Sequence, residues 1–318
     1  MSEKNLVICD KELRYANGLS ENISARNEFS LRVHICTGLE RVLQFRQEKE
    51  IHILIADETF SYADREKMNA EQTFVLTKDK CQDLGEGEKE IYKFQSSDRI
   101  LAEVFETYCD RTHHNILRSV KEHKKNMLAV YSPIHRVGKT TFAMALGKEL
   151  AKREKTLYLN LEEYSDIDER FVRAEGRNLG DLLYYMQQEG VNISLRISTM
   201  LAQSGNLDYI PPFLVSSDLK AVSFEEWKNL FVTILDNSVY ETVILDLGDS
   251  VQGLLEILDF CDKVYMPILE DEISKRKLGL FMEEIRRSQI KGPEKKIYQF
   301  TASEDMAMYA RKIIQEEG

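Results

Sequence analysis

Short apolar runs recur through the first third of the chain, each followed by a polar stretch or by apolar residues spaced three and four apart. Asn5–Asp10, Leu31–Cys36, Ile51–Asp57, Thr73–Thr77 and Glu90–Phe94 read as strands, while Leu39–Gln47 and Ile100–Tyr108 carry helical spacing. Runs that are apolar throughout, rather than alternating, predict a parallel sheet covered on both faces.

The last two thirds repeat the pattern. Met127–Tyr131, Thr156–Glu162, Thr242–Gly248, Lys263–Pro267 and Lys296–Phe300 read as strands. Thr140–Leu150, Glu225–Leu235, Ile273–Ile285 and Glu304–Ile314 read as helices. A long irregular segment follows Glu162 and contains a helical piece, Asp181–Met186, and a turn at Pro211-Pro212. The block predicts one doubly wound α/β domain. Between the two halves, Asp110–Asn126 is polar and charged and is expected to be a solvated linker helix. The expected division is 1–110, a linker over 111–126, and 127–318. Cys109, His113, His114 and His123 lack the paired spacing of a zinc module.

The length of 318 residues suits two domains, and 43% hydrophobic with 31% charged residues is ordinary for a soluble protein. No apolar run approaches the roughly 20 residues that span a bilayer, and the start Met1-Ser2-Glu3-Lys4-Asn5 lacks the pattern of a secretory signal. A cytoplasmic protein without stable membrane insertion is expected. Five scattered cysteines without a C-x-x-C pair argue for core thiols. The net charge of −11 disfavours nucleic acid as a partner.

Candidate chemistry concentrates after the strand Met127–Tyr131. Ser132-Pro133-Ile134-His135-Arg136-Val137-Gly138-Lys139-Thr140-Thr141 departs in part from the phosphate-binding pattern G-x-x-x-x-G-K-[ST]. Gly138, Lys139 and Thr140 are kept, so loop residues Arg136, Val137, Gly138, Lys139, Thr140 and Thr141 are expected to hold ATP. Pro133 replaces the first glycine, with a fixed φ and no N–H to offer. Asp246, at the carboxyl end of a buried strand, is expected to join Thr140 in orienting Mg²⁺.

The first 110 positions resemble a response-regulator receiver domain, with the flavodoxin-like order which that implies. The resemblance puts Asp57 at the phosphoacceptor position, Asp10 at the first-strand acid, Thr77 at the fourth-strand hydroxyl and Lys93 at the fifth-strand lysine. The pattern's second acid is missing, because Lys11 follows Asp10. A pseudo-receiver, surviving as a docking or dimerisation module, is therefore the expectation.

The loop, Asn160-Leu161-Glu162, Asp246-Leu247-Gly248 and the strand Val264–Pro267 with its following helix together resemble the ParA/MinD branch of P-loop ATPases. With a receiver-like domain in front, the whole chain is similar to the TadZ/CpaE localisation ATPases of Flp/Tad pilus assembly. That resemblance implies a cytoplasmic homodimer, polar or peripheral to the inner face of the membrane, with pilus-assembly or polar-localisation proteins as partners. The branch's signature lysine, which crosses the dimer, is Ile134 here, and Arg136 is a partial substitute. The acid that positions water corresponds to Glu162, so Glu162 and Asp246 are the catalytic candidates. Losing a cation and misplacing water depress turnover more than affinity. Weak ATPase activity at most is expected. Two alternatives stand: a nucleotide-independent signalling adaptor, and a partition-type ParA ATPase. MinD relatives carry a basic membrane helix at the end, but Met306–Gly318 reads as a closing core helix.

Overall fold

Ile53–Asp57 and Thr242–Leu247 are buried at every position, as parallel strands covered on both faces should be. The computed structural model describes residues 3–25, 29–79, 83–112, 116, 125–164, 177–188, 191–290, 292–302 and 305–317. It divides into two units, Met1–Ser119 and Val120–Gly318.

The first unit runs β1 (Lys4–Cys9), α1 (Leu13–Ala25), β2 (Leu31–Cys36), α2 (Leu39–Glu48), β3 (Ile53–Asp57), α3 (Tyr62–Met68), β4 (Gln72–Thr77), β5 (Lys89–Tyr92) and α4 (Ser97–Thr112). Its strands are all parallel, in the order β2-β1-β3-β4-β5. That is the flavodoxin-like order.

Helices α1 and α3 were not evident from periodicity. The α1 segment contains Gly18 and several Asn and Ser residues, which favour helix weakly, but it buries Ala16, Leu19 and Ile23 along one face. The short α3 is fixed by an N-cap, where Ser61 Oγ accepts from Asp64 N. It is also held by Arg65, which is buried, donates to both carboxylate oxygens of Glu88 at 2.9 and 2.7 Å, and reaches the carbonyls of Phe60 and Asp83. Most of the expected linker, including His113, His114 and His123, lies outside the described residues, as does Cys81. Cys9, Cys36, Cys109 and Cys261 are buried free thiols.

The second unit runs β6 (Asn126–Val130), α5 (Lys139–Leu150), β7 (Thr156–Leu161), α6 (Leu179–Met186), α7 (Ile193–Met200), β8 (Ala202–Ser204), β9 (Leu207–Ile210), α8 (Ser216–Ala221) and α9 (Phe224–Asn237). It continues with β10 (Thr242–Leu247), α10 (Leu254–Phe260), β11 (Lys263–Ile268), α11 (Glu272–Arg287), α12 (Pro293–Lys296), β12 (Ile297–Thr301) and α13 (Met306–Glu317). The seven-stranded sheet has the order β12-β11-β6-β10-β7-β9-β8. Its strands are parallel except β8, which pairs antiparallel with β9. The chain passes from β10 on one side of β6 to β11 on the other. The carboxyl ends of β6 and β10 therefore flank a topological switch point, where open α/β sheets bind ligands.

The segment after β7 is more regular than its sequence suggests. Helices α6 and α7 and the β8–β9 hairpin, turned at Gly205 with φ 70°, occupy much of it. Lys296 closes a short helix and does not begin the last strand. Helix α13 buries Met306, Ala310 and Ile313 in the cluster built around Phe142, and Arg311 donates to Glu149 of α5 at 2.8 Å. It closes the core, and among the described residues no helix is long and apolar enough to cross a membrane.

Candidate functional site

In the second unit β6 delivers the chain to the loop Tyr131–Gly138, and α5 leaves it. Ser132 Oγ accepts from the Ile134 N–H at 3.2 Å, and the side chains of Ile134 and Val137 are buried. Gly138 caps α5 in the left-handed region, at φ 78°. That positive φ favours glycine, and a Cβ there would in addition make the flexible end of Met306, 2.9 Å away, move aside. Arg136 has φ 57°, a conformation that costs a non-glycine residue about 1 kcal/mol. The loop keeps a bend that glycine adopts freely, while the Arg136 side chain is exposed.

Lys139 opens α5 and points across the strand ends. Its Nζ meets Glu162 Oε1 at 2.8 Å, donates to the Leu247 carbonyl at 3.1 Å and faces the Tyr131 ring at 5.5 Å. Next to it, Thr140 lies by the wholly buried Asp246. Asp246 Oδ2 accepts from Tyr158 Oη at 2.9 Å, and Tyr158 Oη accepts in turn from Asn160 Nδ2 at 3.1 Å. Asn160 Oδ1 then accepts from the Glu162 N–H at 2.8 Å. A single chain of hydrogen bonds thus joins the expected Asp246, Asn160 and Glu162. Burial raises the Asp246 pKa to about 6, helped by the negative charge of Glu162 and opposed by Thr140, Tyr158 and Lys139. The Thr140 hydroxyl favours the ionised form, but Asp246 Oδ1 has no hydrogen-bond partner. Thr141, one residue further on, is exposed.

The pattern had not flagged Tyr131, Tyr158 or Asp249. Period-two alternation puts Tyr158 and Asn160 on one face of β7, and Asn160 stands beside Asp246 in the register of β7 with β10. The alternation is legible in the sequence, whereas the pairing of β7 with β10 is not. Asp249, which accepts from Tyr131 Oη at 2.9 Å and lies 3.3 Å from His135 Nε2, had no such signal.

These donors fit a nucleotide and its cation. A hydroxyl and a buried carboxylate oxygen lacking a partner are the hard oxygen ligands Mg²⁺ takes. A lysine at the start of a twelve-residue helix suits a phosphate. Pro133 offers no N–H, so the loop is one donor short of its template.

In the first unit Asp10, Asp57, Thr77 and Lys93 stand at the carboxyl ends of β1, β3, β4 and β5. Lys93 Nζ donates to Asp10 Oδ2 at 2.7 Å and to Asp57 Oδ2 at 2.6 Å, with Glu12 Oε1 at 3.6 Å and the Tyr15 ring at 4.6 Å. All four residues are buried. Burial pushes the Asp57 pKa up, but hydrogen bonds from Lys93 and Thr59 outweigh it and the net shift is downward. Burial would likewise lower the Lys93 pKa, and bonding to the two carboxylates instead raises it well above normal. Thr77 Oγ1 faces the Ile91 carbonyl at 3.5 Å and does not join this cluster. Lys11, in place of the second acid, lies over the Phe60 ring at 5.3 Å.

No family model and no curated protein matches the chain. Solved structures similar to it include a putative plasmid partition protein from Borrelia burgdorferi B31 bound to AMPPNP, at 21% identity over 61% of this chain and 84% of that one, with a TM-score of 0.44. A ParA family ATPase from Chlorobium tepidum TLS gives 16% identity over 56% and 73%, with a TM-score of 0.46. Apo McdA from Cyanthece gives 18% identity over 61% and 83%, with a TM-score of 0.39.

Proposed function

We propose that the second unit binds Mg·ATP and acts as a nucleotide-responsive scaffold with slow or absent hydrolysis. The observation that carries this reading is the convergence of Lys139, Thr140 and the unpartnered Oδ1 of Asp246 at the carboxyl ends of β6 and β10. Lys139 and the first turn of α5 would hold the phosphates, and Thr140 with Asp246 the cation. When bound, Mg²⁺ would supply charge neutralisation at the phosphates. Ile134 packs into the protein where the ParA/MinD branch carries its trans-acting lysine, so the ground-state contacts are retained and a transition-state cation is missing.

The first unit fits a pseudo-receiver, because Lys93 already bridges the two acids that a phosphorylation site would turn toward metal and phosphoryl group. In this reading the chain works as a homodimeric TadZ/CpaE-like protein that positions pilus-assembly or other polar partners at the cytoplasmic face of the membrane. A nucleotide-independent adaptor is a second reading, favoured by the fact that Glu162 already fills the Lys139 ammonium. Calorimetric titration of the full chain with Mg·ATP decides between them. Binding that Lys139→Ala weakens at least a hundredfold is expected; no binding by the unmodified chain at millimolar nucleotide selects the adaptor.

A further inference from the structure

Lys139 is satisfied by groups of the protein itself. Its Nζ has the Glu162 carboxylate at 2.8 Å, the Leu247 carbonyl at 3.1 Å and an aromatic face behind it, and its side chain is 9% exposed. Glu162 is positioned from two sides for that contact. Its N–H is fixed to Asn160, and Gly248 makes room for it, since a Cβ at 248 would lie 3.1 Å from Glu162 Oε2 and 3.2 Å from its Cα. Carboxylate and phosphate oxygens are equivalent acceptors for an ammonium group. Both cannot use this one without two anions meeting in a partly buried site, where like charges repel more strongly than in water.

We propose that Glu162 is the resident anion of this loop: its carboxylate holds Lys139 until a phosphoryl group takes its place, so binding here is an exchange of anions and Glu162 sets the affinity. The proposal rests on the nucleotide reading above and adds an affinity-determining residue to it. The Glu162 side chain is 24% exposed, and water is open to it when it leaves. The resemblance to the ParA/MinD branch implies the opposite role for Glu162, that of a group assisting the bound nucleotide.

Glu162→Gln tests this without emptying the site, because the amide oxygen can still accept from Lys139 and the fold is kept, as thermal unfolding will verify. Calorimetry would compare the unmodified full chain, Glu162→Gln and Lys139→Ala with two probes, Mg·ATP and inorganic pyrophosphate without magnesium. The exchange predicts that Glu162→Gln binds both probes at least about tenfold more tightly, the worth of one charge-assisted hydrogen bond. Lys139→Ala should bind neither. Equal or weaker binding by Glu162→Gln overturns the proposal while leaving the nucleotide reading intact. A gain seen with Mg·ATP but not with pyrophosphate overturns it too, because Glu162 would then act on the cation. If no protein binds either probe, the proposal and the nucleotide reading fail together.

Discussion

Each unit places a lysine at the carboxyl end of its sheet, and the two lysines sit in opposite electrostatic settings. Lys93 is 1% exposed and bridges Asp10 and Asp57 with Glu12 at 3.6 Å, so its pocket carries more negative than positive charge. Lys139 contacts one carboxylate directly, that of Glu162, which is partly open to water, with Asp246 close enough to feel its charge, and it stands at the start of α5. On the reading proposed above, a sealed lysine outnumbered by acids is a structural clamp closed to another anion, and a lysine with one displaceable acid at a helix N-terminus is an anion site. What separates the two is the number of carboxylates in direct contact with each cation and the exit open to them, rather than the lysine itself.

Removing each cation or acid should expose that difference. Lys93→Ala leaves Asp10 and Asp57 buried without their cation and should destabilise the first unit by about 3–5 kcal/mol, read from its denaturant transition in the full chain. Little or no change would mean that Lys93 is not the clamp. Acidification should separate the units next. Asp246 has a pKa raised from 3.8 to about 6, so the folded second unit takes up a proton that the unfolded chain does not, and its stability rises as pH falls through that value. Between pH 7 and pH 5 the gain is roughly 1 kcal/mol, and Asp246→Asn should abolish it.

Asp57 has the contrary sign. Its depressed pKa contributes stability above the ordinary 3.8 and loses it as pH falls through the folded value, so its contribution is unchanged between pH 7 and pH 5. Lys93, raised above 10.5, contributes fully below that pH and loses the contribution as pH rises through its folded value. The smallest expected effect is none: beryllofluoride with Mg²⁺ should cause no Asp57-dependent change in the amide spectrum of the full chain. A clear change lost in Asp57→Asn would show that Lys93 yields to the cation, and the clamp would have to be redrawn as a receiver site.

The sheets and their ends were legible because parallel strands announce themselves as apolar runs that stop at a polar residue. Asp10, Asp57, Asp246 and Glu162 each stand just at such a stop. Helix α1 was not legible, since its Gly18, Asn and Ser residues hide three buried contacts that tertiary packing supplies. The hairpin and helices between Ile193 and Ala221 leave no periodic trace in the sequence because each is too short to establish a period. Pairing across the site was hidden for another reason. Lys139 and Glu162 follow β6 and β7, which β10 separates in the sheet, and whether they touch depends on that strand order. Periodicity carries no information about strand order. The loop showed a third case: Arg136 in a left-handed conformation preserves a shape that its residue type argues against.

On the reading proposed above, the second unit holds ATP through Lys139 with slow or absent turnover. Equilibrium dialysis of the full chain against labelled Mg·ATP, followed by chromatography of the bound label, tests both halves in one experiment. Label should be bound as intact ATP by the unmodified chain and not bound by Lys139→Ala. Bound ADP accumulating in a Lys139-dependent way, as fast as in a ParA family ATPase treated alongside, would contradict it.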